Sequence, residues 1–340
     1  REGGKEGLYE YLVPSWKAAR GRARVSPEAL KAAEGPASET AANLQALGPG
    51  TSAVQGAGDV DRTSKIYIGG KQARSDSGSS YPVLAADGSV AGLACDCNRK
   101  DVRDAVEAAA GAAKGWSSKP GHTRAQILYF LAENLSARAA AFAARVAQIT
   151  GGSLSEAEAE VAAAVDRIFT YAALADKAGG TVQESTLKGM VMAVNESVGA
   201  IGIVCPTAHP LLSLVSLLAA AVARGNAVVL IPARAAALLA SDLYQLIETS
   251  DVPGGVINIL TGDQHVLSLT LASHQGLDAF WCFAPLRTIL AVEKLAAEDM
   301  KRTWTETPDG RDWMDPEQGA GGEFVRHATH VKNIWVPFVA

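Results

Sequence analysis

Aromatic side chains are scarce, 6% of the 340 residues, and no apolar run is long enough to cross a bilayer. The longest, residues 211–223, is interrupted by Ser213 and Ser216 and falls short of the roughly 20 residues a spanning helix needs. A formal net charge of −5 offers no basic surface to nucleic acid or an anionic membrane, so neither is expected as a partner. There are four cysteines, Cys95, Cys97, Cys205 and Cys282. Cys95-Asp96-Cys97 is a C-x-C pair with no second half and no neighbouring His, which argues against zinc. His327 and His330 are three apart, but no third ligand is close in sequence, so no metal is expected. The thiols read as reduced and structural, and no signal peptide is visible; a cytoplasmic location is the expectation.

Apolar residues make up 48% of the chain, with 33 glycines and abundant alanine. That balance suits close packing of helices on a sheet in an α/β protein of one or two domains. Residues 15–62 are rich in Ala, Gly, Pro, Ser and Thr and read as a flexible linker with one short helical candidate at 27–33. Lys17, Arg20, Arg22 and Arg24 within it have no interleaved aromatics and read as a solvated segment. Strands are expected at 66–70 and 79–94, the latter with a turn at Asp87-Gly88, then helices at 101–116, 124–147 and 155–177. The third is opened by Ser155 and Glu158 in capping-box spacing. Residues 179–197 alternate in the β manner and lead into a strand at 198–203. Further β/α units follow at 227–230 with 235–248, 256–260 with 266–273, and 279–283 with 285–297. A short strand at 304–306, a polar loop at 309–322 and a closing strand at 329–339 complete the reading, with Pro337 suited to a strand end.

The densest information lies in Glu196-Ser-Val-Gly-Ala-Ile-Gly-Ile-Val-Cys-Pro-Thr-Ala-His-Pro210 and Gly225-Asn-Ala-Val-Val-Leu-Ile-Pro-Ala-Arg234. Strand, loop, helix, strand is the opening of a dinucleotide-binding unit. These segments, with Pro253-Gly-Gly-Val-Ile-Asn-Ile-Leu-Thr-Gly-Asp263 and Val331-Lys-Asn-Ile-Trp-Val336, resemble the aldehyde dehydrogenase superfamily from about residue 65 onward. Residues 1–14 resemble the tail of a dehydrogenase catalytic domain. A tail followed by a second, reduced module is similar to the tandem, family 16 aldehyde dehydrogenases. The resemblance implies an α/β fold with a Rossmann-like, mostly parallel sheet, a β-flap or oligomerisation arm, and a missing catalytic domain. It implies a degenerate cofactor-type domain at 63–178 and 198–308, an arm at 179–197 and 323–340, and a short loop, 309–322, in place of the catalytic domain.

The family's chemistry, carried over position by position, meets gaps. Ala208 stands where the loop after the first strand has an Asn that donates to the oxyanion. Ile231 replaces the Lys that holds the adenosine ribose, and Arg234 falls at a Glu. Ala284 and Pro285 replace the Gly-Ser of the pyrophosphate turn, with Ile289 at the second Gly; Pro285 has no N–H to offer phosphate. Glu306 matches the general-base Glu, and no Phe-x-x-x-Gly-Gln-x-Cys nucleophile motif occurs. Cys205 and His209, four apart, read as packing and loop residues rather than a thiol–imidazole pair. Trp304, Trp313 and Trp335 read as packing around the shortened region.

The resemblance therefore implies a catalytically inactive module with no cofactor of its own, attached to a parent that is an NAD-dependent aldehyde dehydrogenase. Its expected partners are the preceding dehydrogenase domain and a second copy in a homodimer. The contact would be made by Met190, Val191, Met192, Val194, Val331, Ile334, Trp335 and Val336, whose strands would otherwise leave open edges. An NAD(P)-binding regulatory domain or residual oxidoreductase, resting on Thr207, Arg234 and Glu306, stands as the alternative.

Overall fold

The computed structural model describes residues 61–177, 179–183 and 189–337. The expected tail at 1–14 and nearly all of the linker at 15–62 lie outside them. Strands β1 (Ile66–Ile68), β2 (Lys71–Ala73), β3 (Ser80–Leu84) and β4 (Val90–Cys95) come first. Helices α1 (Arg99–Ser117), α2 (Gly121–Ala137), α3 (Ala139–Thr150) and α4 (Leu154–Leu174) follow. Next come β5 (Thr181–Gln183) and β6 (Gly189–Ser197). The β/α region then runs β7 (Ala200–Val204), α5 (Pro210–Ala223), β8 (Ala227–Ile231), α6 (Ala237–Thr249), β9 (Ile257–Ile259), α7 (Gln264–Ala272), β10 (Ala279–Phe283), α8 (Leu286–Ala296) and β11 (Arg302–Glu306). Two short helices, α9 (Pro316–Ala320) and α10 (Gly322–His327), precede β12 (Thr329–Pro337).

The main sheet has the order β11-β10-β7-β8-β9-β1-β2. Its first five strands are parallel, and β1 and β2 close one edge antiparallel. Ala-Ile-Gly-Ile-Val, Ala-Val-Val-Leu-Ile and Ala-Phe-Trp-Cys-Phe are buried at every position, as expected of strands covered on both faces. One apolar cluster joins Val102, Val106, Leu267, Leu271 and Val292 to one face of the sheet. A larger one joins Leu128, Leu135, Val161, Ile168, Leu214, Leu217 and Leu243 to the other. All of α5 is buried, so the longest apolar run is a core helix lying under other helices.

Several boundaries differ from expectation. The single helix expected at 124–147 is two, because Arg138 leaves helical geometry (φ −113°, ψ 15°) between α2 and α3; no Gly or Pro marks that bend. The capping box opening α4 belongs to Ser153 and Glu156, two residues earlier than expected. Two overlapping Ser-x-x-Glu patterns compete there, and Gly151, left-handed at φ 71°, ends α3 so that the first one is used. β2 is a polar edge strand that carries no apolar alternation. The region expected as a plain loop at 309–322 contains α9, and 323–327 belongs to α10 rather than to the arm.

The segments expected to form the arm make one antiparallel sheet of order β12-β6-β5. β12 pairs with β6 from Thr329↔Ser197 to Pro337↔Gly189, so these two strands satisfy one another along their facing edges. Alternation then divides the expected contact residues between two faces. Val182, Met192 and Ile334 share one face by register, as do Met190 and Val336, and Val194 falls in the same alternation. Val191, Val331 and Trp335 lie on the other, where Val191 is already buried. This small sheet is anchored at Asn226, which is 0% exposed. Its Oδ1 accepts from the N–H groups of Val198 (2.7 Å) and Gly199 (3.0 Å), and its Nδ2 donates to the carbonyls of Ala221 (2.9 Å) and Ala328 (2.8 Å).

Candidate functional site

In a parallel sheet, ligands bind beyond the carboxyl ends of the strands, where the strand order reverses. Here that place lies between β7 and its neighbour β10, bordered by the loops after β7, β8, β10 and β11. The loop after β7 runs from Cys205 to His209. Cys205 is 1% exposed, and its thiol is pushed well above the ordinary range by burial, so it is no ready nucleophile. Gln264, at the start of α7, donates through Nε2 to the Cys205 carbonyl at 2.9 Å and reaches the Ile231 carbonyl at 3.5 Å. One amide thus spans the ends of β7 and β8.

The amino terminus of α5 is occupied from within the chain. Glu160 of α4, 4% exposed, accepts from the backbone N–H groups of Leu211 (2.8 Å) and Leu212 (3.1 Å) through Oε1. Its Oε2 lies 3.6 Å from Nδ1 of His209, a residue held left-handed at φ 46°. The close approach and charge of the Glu160 carboxylate, with a smaller contribution from Asp312, raise the His209 pKa above its ordinary value of 6.5. A carboxylate therefore serves these two N–H groups where a helix start could otherwise receive an anion.

The positions assigned to cofactor contact divide by environment. Ile231 (0% exposed), Ala284 (3%) and Ile289 (6%) belong to one apolar cluster with Val204, Cys282 and Val292. Pro285 is exposed and starts α8, its carbonyl accepting from the N–H groups of Thr288 and Ile289. Thr207 is exposed and Ala208 half-buried against the core. Arg234 stacks on the Tyr81 ring, Cζ 3.8 Å from its centroid, while the Tyr81 hydroxyl donates to the Arg234 carbonyl.

Glu306 ends β11 with its side chain 8% exposed and paired to Arg311, itself 1% exposed. Arg311 Nε donates to Oε2 at 2.8 Å and Nη2 to Oε1 at 2.6 Å. Arg311 also donates to the Gln318 carbonyl (2.6 Å) and to Glu323 (3.2 Å). Its guanidinium lies 5.0–5.5 Å from the ring centres of Phe283, Trp304, Trp313 and Phe324. Trp304 and Trp313 are buried, as expected, whereas Trp335 is 59% exposed and lies outside this cluster.

Sequence reasoning missed Arg311, Glu160 and Gln264. Glu160 left a trace, since it falls on the stripe Ala157, Val161, Ala164 that α4 buries. Arg311 sits in a stretch whose composition reads only as loop. Among the described residues no cluster of three or more His, Cys, Asp or Glu could hold a metal ion, and no helix is long and apolar enough to cross a membrane.

Residues 74–310 match the model of the aldehyde dehydrogenase family, and the chain belongs to that family. It is 31% identical over 216 residues to the alpha-ketoglutaric semialdehyde dehydrogenase of Bacillus subtilis, covering 63% of this chain and 44% of that one. It is 31% identical over 210 residues to the NADP/NAD-dependent aldehyde dehydrogenase PuuC of Escherichia coli, covering 61% and 42%. The chain spans less than half the length of these relatives. Among solved structures, HpcC from Thermus thermophilus superposes with a TM-score of 0.70 at 27% identity, covering 72% of this chain and 48% of that one. Betaine aldehyde dehydrogenase from Staphylococcus aureus, solved with NAD+, shares the fold at a TM-score of 0.69 and 24% identity, covering 72% and 50%.

Proposed function

We propose that this chain is a non-catalytic aldehyde dehydrogenase module with a structural role in a longer tandem protein. Its arm completes and stabilises the active, NAD-dependent dehydrogenase domain of the parent and contributes to the parent's dimer. The observation that carries the reading is the fate of Glu306. A general base needs a carboxylate that can reach a water or substrate proton, and this one is spent on a bidentate pair with Arg311 under four aromatic rings. The residues present also do not fit a dinucleotide at the strand ends. Ile231, Ala284 and Ile289 have gone into the core, and Pro285 cannot donate to phosphate. The alternative of an NAD(P)-binding regulatory domain loses Arg234 to Tyr81 and Glu306 to Arg311.

The structural half of the proposal rests on the arm's outward face. Val182 is 70% and Val336 39% exposed, beside the half-buried Met192 and Ile334, and the outer edge of β12 is open among the described residues. An exposed apolar edge of this kind is a pairing site. Deleting residues 330–340 would also strip β6 of its longer-paired neighbour, so point substitution is the cleaner test. Ile334→Glu should abolish self-association in light scattering and lower the parent's activity while leaving the fold intact by circular dichroism. An unchanged mass together with a fully active parent would refute the structural role.

A further inference from the structure

Away from the carboxyl ends of the parallel strands, the carboxyl termini of α1, α4 and α5, the start of α2 and the base of the small β12-β6-β5 sheet line a cleft of about 540 Å³, within the range that holds small molecules. Two arginines line it, Arg124 and Arg224, with Ser117, Asp176, Asn195, Glu196 and Ser197. Arg124 has a structural employment: Nε donates to the Ala223 carbonyl at 3.1 Å, and Nη1 donates to the carbonyls of Ser117 and Lys119. These are carbonyls at helix ends, where a cation is at home.

Arg224 is different. It is 6% exposed, yet among the described residues its guanidinium makes one hydrogen bond, from Nε to Thr329 Oγ1 at 3.0 Å. No carboxylate pairs with either arginine among the described residues, because Asp176 is held by Lys177 at 3.0 Å and Glu196 by Lys332 at 3.2 Å. Burial lowers the pKa of both arginines, and Arg124 lowers that of Arg224 further. Two desolvated like charges in one cleft are costly without a counter-ion.

We propose that this cleft binds a small phosphate monoester. The phosphate would sit against the Nη groups of Arg224 beside Arg124, a match for the planar guanidinium fork. Hydroxyl groups of the same ligand would meet Asn195, Ser197 and Asp176. A dianion suits two guanidinium groups, and the polar lining suits an ester that carries hydroxyls. The site is independent of the family's cofactor position, since none of its residues borders the carboxyl ends of β7, β8, β10 or β11. It lies at the root of the arm, where Thr329 begins β12 and Ser197 ends β6.

The test uses the full chain and glycerol 3-phosphate as probe, with inorganic phosphate and sodium chloride at matched ionic strength as the other arms. Glycerol 3-phosphate should give saturable heat in titration calorimetry and a saturable rise in melting temperature. Arg224→Gln should weaken binding by about tenfold or more, the loss of a charge-assisted contact. Arg145→Gln, in a separate groove, should bind normally. Ser197→Asp, which places a carboxylate beside the arginines without touching the core, should also abolish the response if Arg224→Gln folds poorly. Wild-type binding by the two cleft variants, no saturable response to the ester, or inorganic phosphate binding as tightly as the ester would each overturn the proposal.

Discussion

Glu306 and Arg311, five residues apart, hold each other through two contacts of 2.6 and 2.8 Å with both side chains almost out of solvent. The pair joins the last strand of the parallel sheet to the segment that leads into the arm. Glu323 of α10 is its third member, 3.2 Å from Arg311. Arg311, shared between the two carboxylates, thus ties the segment at 309–327 to the end of β11.

Removing that cation should be severe. Arg311→Leu removes the bidentate partner of the buried Glu306 and one partner of Glu323, and breaking a buried pair in this way costs about 3–5 kcal/mol. Glu306→Gln keeps an acceptor for Arg311 and should cost less. Urea unfolding of the two variants beside wild type reads the order directly, and equal stabilities would contradict it.

Asn226 should matter comparably although it touches no candidate site. Asn226→Ala leaves the part-buried N–H groups of Val198 and Gly199 and the carbonyl of Ala328 without this partner, while the Ala221 carbonyl keeps the backbone N–H of residue 226. At about 1–3 kcal/mol for each unsatisfied group, partly relieved by water, the net loss should be about 3 kcal/mol or more. Hydrogen exchange should rise first at the start of β12, since Ala328 precedes Thr329. Exchange unchanged there would mean that the arm is anchored by other contacts.

The parallel sheet was legible because its strands are short continuous apolar runs separated by helix-period segments, and the ends of β10 fell where expected. Features that rest on contacts distant in sequence were not legible. Arg138 ends α2 without a breaker residue, and β2 is a polar strand held by its pairing to β1. At the candidate site, identity and spacing located Ile231, Ala284 and Glu306, but what surrounds them depends on packing. The partner of Glu306 is supplied by an arginine in a loop-like segment, which no local periodicity marks. The arm residues were found as strands, whereas their division between two faces follows from register.

The His209–Glu160 contact carries a pH dependence with a definite sign. The folded-state pKa of His209 is raised above 6.5, mainly by Glu160. Its stabilising contribution is therefore fully present below pH 6.5 and is lost as pH rises through the raised value. Melting temperature should fall over that window in the wild-type chain and fall less in His209→Gln. The ring is 40% exposed, so solvent screening makes the effect modest. Parallel pH profiles for the two proteins would assign the titration elsewhere.

Cofactor binding provides the sharpest test of the functional reading. Ile231 cannot hydrogen-bond a ribose, Pro285 has no N–H, and Ala284 and Ile289 lie within the core. Missing several hydrogen bonds at about 1–3 kcal/mol each reduces affinity by orders of magnitude. Calorimetry with NAD and with NADP should therefore give no micromolar dissociation constant, and aldehyde with NAD should give no turnover above a blank. Cys205 and Cys282 should not supply a nucleophile, since burial pushes Cys205 far up and Cys282 to about 12. Micromolar binding that disappears in Arg234→Ala would restore the regulatory alternative, because it would show that Arg234 leaves Tyr81 to meet a nucleotide.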